Sequence, residues 1–176
     1  MKLNSAKLRK VEPGKLSSTQ VKKNEIYIIL DNVLDTYNVG AVFRLADATA
    51  AKKILLCGFT ETPPNTRITK ASINTVDLTE WEQFEKTTDA INDLRLKIKD
   101  IKVIGIELDE RGVDYTKADY SYPVALIIGN ETHGISEEVL KLCDQIVELP
   151  MLGVNVSINT MVSLAIILYK TLEKNT

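Results

Sequence analysis

Three clusters of polar residues break the apolar runs of this 176-residue chain. Asn38, Gly40 and Arg44 follow the run EIYIIL (25–30). Gly129, Asn130, Glu131 and Gly134 follow ALII, and Pro150, Met151, Gly153, Ser157 and Asn159 follow IVEL. Loops at strand ends are where α/β sheets put their sites, and a doubly wound sheet suggests a nucleotide or nucleotide-derived ligand there. Each cluster alone has a structural account: Asn38 and Ser157 cap helices, and Gly129 and Gly134 serve turns. Three such clusters, each after a strand, call for more.

Several chemistries are disfavoured. No G-x-G-x-x-G follows the first strand and no G-x-x-x-x-G-K-[ST] occurs, which argues against a dinucleotide enzyme or a P-loop NTPase. His133 is the only histidine and has no nucleophile elbow to accompany it, so it reads as a loop residue. Cys57 and Cys143 lack zinc or disulfide spacing and read as buried thiols; no metal site is expected.

The elements that must position the clusters alternate. EIYIIL is a strand, and NVGAVFRLADATA (38–50) has Val42, Leu45, Ala46 and Thr49 at helical spacing. KKILLCGF (52–59) is a strand, residues 79–100 read as one polar amphipathic helix, and KVIGIEL (102–108) is a strand. PVALIIG (123–129) is a strand and SEEVLKLC (136–143) a helix with Ser136 as its hydroxyl cap. QIVELP (145–150) is a strand, and 157–174 form the terminal helix. The alternation predicts an α/β fold, a parallel sheet flanked by helices. Residues 60–74, rich in Pro, Thr and Asn, form a loop long enough to bind something. The terminal helix is apolar on more than one face, from Ile158 through Leu168, so it requires cover on several sides, a partner subunit included.

Net charge is −2, but its distribution is uneven. Residues 1–23 hold seven bases against one acid, and the remaining 153 residues hold 15 bases against 23 acids. A basic arm is a weak RNA-binding signal. The expected organisation is a basic arm over 1–24 and one domain over 25–176. No apolar run approaches the ~20 residues of a membrane span and the N-terminus has no signal-peptide core, so a cytoplasmic protein is expected.

NVGAVFRLADA (38–48), LIIGNETHGIS (126–136) and LPMLGVNVSINTMVSLA (149–165) resemble, in order and spacing, the three signature motifs of the SpoU-type RNA ribose 2′-O-methyltransferases of the SPOUT superfamily. The resemblance runs from about Glu25 to the C-terminus. It implies a C-terminal deep trefoil knot, which the general rarity of knots would have excluded. It also implies S-adenosylmethionine as cofactor, RNA (tRNA or rRNA) as substrate and partner, and a homodimer.

By the same resemblance Arg44 activates the ribose hydroxyl. A guanidinium is a poor simple base. Arg44 is therefore expected to bind the neighbouring phosphate and leave a phosphate oxygen, or a deprotonated guanidinium, to take the proton. Asn38 and Glu131 match positions that hold the arginine and the RNA backbone, and Glu131 is suited to pair with Arg44 through two hydrogen bonds. Ser157 and Asn159 match positions near ribose and cofactor. Ile106, Glu107, Gly129, Leu149, Met151 and Ile158 match the cofactor-lining positions, and Arg67 and Lys70 are expected to join Arg44 in phosphate contacts. Motif three departs from the usual S-L-N-V in Ile158 and Thr160, which keep size. The N-terminal RNA-binding domain of some rRNA-modifying relatives is missing, so the arm is expected to serve instead. A non-catalytic RNA-binding protein of the same fold and a SPOUT base methyltransferase are the alternatives; the intact Arg44, Glu131, Ser157 and Asn159 favour ribose transfer.

Overall fold

The computed structural model describes Lys7 and residues 21–175. The basic arm thus lies almost wholly outside the described residues. Among the described residues seven strands form one sheet in the order β3-β2-β1-β6-β4-β7-β5, every pairing parallel. They are β1 (Asn24–Asp31), β2 (Ala51–Cys57), β3 (Glu80–Phe84), β4 (Lys102–Ile106), β5 (Val113–Asp114), β6 (Val124–Gly129) and β7 (Gln145–Glu148). The α-helices within residues 21–175 are α1 (Thr36–Ala48), α2 (Thr66–Ser72), α3 (Thr87–Lys97), α4 (Glu137–Leu140) and α5 (Thr160–Asn175).

Strand alternation sorts the core into two layers. Ile26, Ile28 and Leu30 of β1 face Val39, Val42 and Phe43 of α1 and Leu164, Ile167 and Leu168 of α5. Tyr27 and Ile29 face the other way, toward Ala90, Ile91 and Leu94 of α3 and Val139 and Leu140 of α4. β1 and β6 are buried along most of their length, as strands covered on both faces must be. The expected parallel sheet between helices is what forms.

Two expectations need correction. The segment 79–100 is a strand followed by a helix. Glu80–Phe84 extends the sheet edge beside β2, with Lys53 paired to Glu82, and only Thr87–Lys97 is helical. An edge strand faces water along one side and tolerates EWEQF, whose polarity imitates a surface helix. Within the expected loop 60–74, Asn65 caps α2 by accepting from the amides of Arg67 (2.9 Å) and Ile68 (3.3 Å). This short helix packs on α1 at Gly40, where a Cβ would lie 2.6 Å from the Ala71 Cβ and 2.7 Å from the Ile68 carbonyl oxygen. Gly40 therefore serves helix packing.

The chain builds β1, β2 and β3 outward in one direction, then crosses to the other side for β4, and β6 later fills the place between β1 and β4. Such a reversal opens a crevice at the carboxyl ends of the strands.

Candidate active site

The crevice opens past the ends of β4, β6 and β7. It is a cleft of about 670 Å³ lined by Ile106, Glu107, Gly129, Leu149, Met151 and Ile158, all six of the expected cofactor positions, and by Ser157 and Asn159. That size suits a small-molecule site, typically ~300–1,000 Å³.

Its floor is the turn after β6. The Asn130 amide donates to the Gly134 carbonyl (3.0 Å) and the Gly134 amide to the Asn130 carbonyl (2.9 Å), closing the turn on itself. A Cβ on Gly129 would come within 2.2 Å of the Gly134 carbonyl carbon, so only glycine permits this closure. Gly134 has φ +68°, the left-handed region glycine favours. The Asn130 side chain accepts from the Thr132 and His133 amides, and its amide group donates to the Asn32 carbonyl. The Glu107 carboxylate accepts from the amides of Ile135 (2.8 Å) and Leu108 (3.1 Å), tying the end of β4 to the same turn. His133 contributes only its backbone here, consistent with a loop residue.

Beyond the turn, Glu131 joins the three sequence clusters. Its carboxylate accepts from the amides of Leu34 and Asp35, both at 3.0 Å, and from Asn38 Nδ2 at 2.9 Å. Asn38 Oδ1 in turn accepts from Asn159 Nδ2 at 3.1 Å. Burial acts to raise the Glu131 pKa, but the hydrogen bonds from Asn38, Leu34 and Asp35 outweigh it and hold the carboxyl below its ordinary value. The expected pairing of Glu131 with Arg44 is not made: the carboxylate's partners are the two amides and Asn38. Asn38 does not cap α1, since Asp35 does so by accepting from the Tyr37 amide at 2.8 Å. Asn159, not Ser157, begins the terminal helix, accepting from the amides of Met161 (2.9 Å) and Val162 (3.4 Å).

Arg44 is exposed and has no hydrogen-bond or ion-pair partner among the described residues. With Lys70 it lines an open groove of about 920 Å³ between α1 and the segment carrying α2. Arg67, on the same short helix, does not line that groove, so of the three residues expected to contact phosphate the groove brings together Arg44 and Lys70.

Sequence reasoning missed Asp31, Asp35 and Tyr37. Buried Asp31, at the end of β1, accepts from Thr87 Oγ1 and from both the amide and hydroxyl of Ser136. That takes the Ser136 hydroxyl away from the cap expected of it. An acid ending an apolar strand and an Asp one residue before a helix were the available signals. Burial raises both thiols, Cys57 and Cys143, to about 12; Cys57 is buried as expected, whereas Cys143 is only partly buried. Among the described residues no group of three His, Cys, Asp or Glu is placed to hold a metal.

The sequence profile of the SpoU rRNA Methylase family matches residues 25–169. The chain belongs to that family. A relative from Escherichia coli, a tRNA (guanosine(18)-2′-O)-methyltransferase, is 28% identical over 151 residues, which are 85% of this chain and 63% of that protein. A relative with the same activity name from Thermus thermophilus is 29% identical over 85% of this chain and 75% of its own length. Among solved structures, the SpoU methyltransferase AviRb of Streptomyces viridochromogenes, in complex with AdoMet, superposes with a TM-score of 0.78 at 26% identity. The match covers 88% of this chain and 62% of that one. The Aquifex aeolicus TrmH/SpoU enzyme superposes at 0.80 but is 21% identical, and so speaks for the fold alone. This SpoU chain spans about three-fifths of the Escherichia coli relative.

Proposed function

We propose that this chain transfers the methyl group of S-adenosylmethionine to a ribose 2′-hydroxyl of RNA, either tRNA or rRNA. The observation that carries the reading is the hydrogen-bonded series Glu131, Asn38 and Asn159, which joins the cofactor-sized cleft to the helix bearing Arg44. The relatives named for guanosine 2′-O-methylation of tRNA and the AdoMet complex of AviRb support it.

The cleft fits S-adenosylmethionine. Gly129 and Gly134 keep side chains out of the turn, Leu149, Met151 and Ile158 offer apolar contact, and Ile106 and Glu107 at the end of β4 line the same cleft. Once bound there, the cofactor supplies an electrophilic methyl on its sulfonium. The chain's own residues do the rest. Arg44 and Lys70 hold an RNA phosphate in the neighbouring groove, and the fork of Arg44 fixes that phosphate so that one of its oxygens accepts the proton leaving the 2′-hydroxyl. Asn38 sets the first turn of α1, and with it the direction in which Arg44 enters the groove, through Glu131. Asn159 and Ser157 contact ribose and cofactor at the cleft mouth, so that the oxygen meets the methyl in line.

In this reading residues 25–176 are the methyltransferase domain and the basic arm over 1–24 adds RNA contacts. The segment after β7 is threaded as a deep trefoil knot around the cleft, and two copies pair as a homodimer through α5. Val162, Ile166 and Tyr169, at i, i+4 and i+7 on the exposed face of α5, are 41%, 37% and 56% exposed, which supports the pairing.

Incubation with tritiated S-adenosylmethionine and, separately, tRNA and ribosomal RNA from cells lacking the gene, followed by digestion to nucleosides, tests the reaction. Label in a 2′-O-methylnucleoside is expected. Label in a base, or cofactor binding without transfer to either RNA, would overturn the ribose reading.

A further inference from the structure

The groove beside the cleft contains an aromatic residue that neither the packing nor the chemistry above uses. Tyr37 stands on the first turn of α1, seven residues before Arg44 and so on the same helix face. It is 52% exposed, and its hydroxyl has no hydrogen-bond partner among the described residues. The buried face of α1 is already filled by Val39, Val42, Phe43 and Ala46, so the Tyr37 ring adds little to the core. Its backbone is firmly held: the Tyr37 amide donates to Asp35 Oδ1 at 2.8 Å, and the Asp35 amide donates to Glu131 Oε1 at 3.0 Å. A half-exposed ring on a backbone held by hydrogen bonds thus lines an open groove together with Arg44, Lys70, Asn65 and Thr69, and no acidic residue lines it.

We propose that Tyr37 is the stacking platform for an unpaired RNA base next to the phosphate held by Arg44 and Lys70, and that the substrate is therefore RNA whose nucleotide at this position is in a loop or single strand. The proposal rests on the RNA methyltransferase reading above. An aromatic face sharing a groove with cations is the arrangement by which single-stranded nucleic acid is bound, since every base offers a π-face while the backbone follows the positive charge. A base inside an A-form duplex is stacked on its neighbours and cannot lie on the ring. Asn38, adjacent to Tyr37, turns its side chain to Glu131 and Asn159, so the stacked base would border the position where the ribose is aligned.

The test titrates a short single-stranded RNA carrying 2-aminopurine with the whole chain as wild type, Tyr37→Phe and Tyr37→Ala. Stacking quenches the probe. Wild type and Tyr37→Phe are expected to quench it, while Tyr37→Ala loses the quenching and binds on the order of 5- to 100-fold more weakly, the loss typical of removing a stacking aromatic. Annealing the probe to its complement should weaken wild-type binding. S-adenosylmethionine affinity, read by calorimetry, should be the same in all three proteins. Equal probe affinity for Tyr37→Ala and wild type overturns the proposal, as does an equal loss in Tyr37→Phe or equal binding of the duplex. A parallel fall in cofactor affinity also overturns it, since Tyr37 would then be supporting the fold. The quenching needs no turnover, so the tritium experiment judges the ribose reading separately.

Discussion

In the proposed reaction Arg44 and Glu131 have separate roles. Arg44 is exposed in a groove of its own, so its replacement should leave cofactor binding intact and act on transfer alone. Arg44→Lys keeps the charge and loses the planar fork. Its rate should fall by on the order of 10²-fold, the cost of misplacing a reacting group by about an ångström, with unchanged S-adenosylmethionine affinity in calorimetry. Near-normal turnover would refute the phosphate-clamp role. Glu131 makes a pH prediction. Its carboxyl is held below the ordinary value in the folded chain, so the ionised form contributes stability that is present above the unfolded value of ~4.3. That contribution is lost as pH falls through the lower folded value. Glu131→Gln removes it, so the mutant's melting temperature should decline less steeply than wild type's below pH ~5, measured by calorimetric scans across acid pH.

The elements depend on close approaches that only glycine permits. Gly129→Ala would set a Cβ 2.2 Å from backbone of the turn that floors the cleft, so the turn must open. Overpacking typically costs ~1–3 kcal/mol, and here it falls on the cleft proposed to hold the cofactor. The expected outcome is a lower melting temperature together with loss of S-adenosylmethionine binding. Gly40→Ala would instead push α2 away from α1 through Ala71 and Ile68. It should widen the Arg44 groove and weaken RNA binding while cofactor affinity holds, which filter binding and calorimetry on the same protein can separate. The element least legible from sequence was β3. EWEQF carries alternating charge that fits a solvated helix or an edge strand equally well, and the decision comes from β2 lying alongside to supply backbone partners.

For the whole molecule, the terminal helix poses the question of cover. Leu164, Ile167 and Leu168 are buried against the sheet, whereas Val162, Ile166 and Tyr169 face outward. If that face pairs two copies, Ile166→Glu should convert a dimer to a monomer in sedimentation velocity without lowering the helical signal in circular dichroism. A wild-type monomer would overturn the homodimer. No helix among the described residues is long and apolar enough to cross a membrane, so the exposed apolar face of α5 is not a spanning segment.

The sequence by itself determined most of the alternation of strands and helices, β3 and α2 excepted, because side-chain period is a local property written every two or four residues. The motif resemblance, and not periodicity, pointed to the residues that line the cleft: Ile106, Gly129 and Leu149 lie at or just beyond a strand end, whereas Ile158 stands just before α5. Only the tertiary structure decided the partners. Glu131 could pair with a guanidinium or accept from amides, and the choice went to Leu34 and Asp35, 97 and 96 residues away in sequence. The Ser136 hydroxyl likewise went to Asp31, 105 residues away, instead of to its own helix. A polar group takes whichever partner the fold brings within hydrogen-bonding distance, and that distance is set by packing between segments remote in the chain.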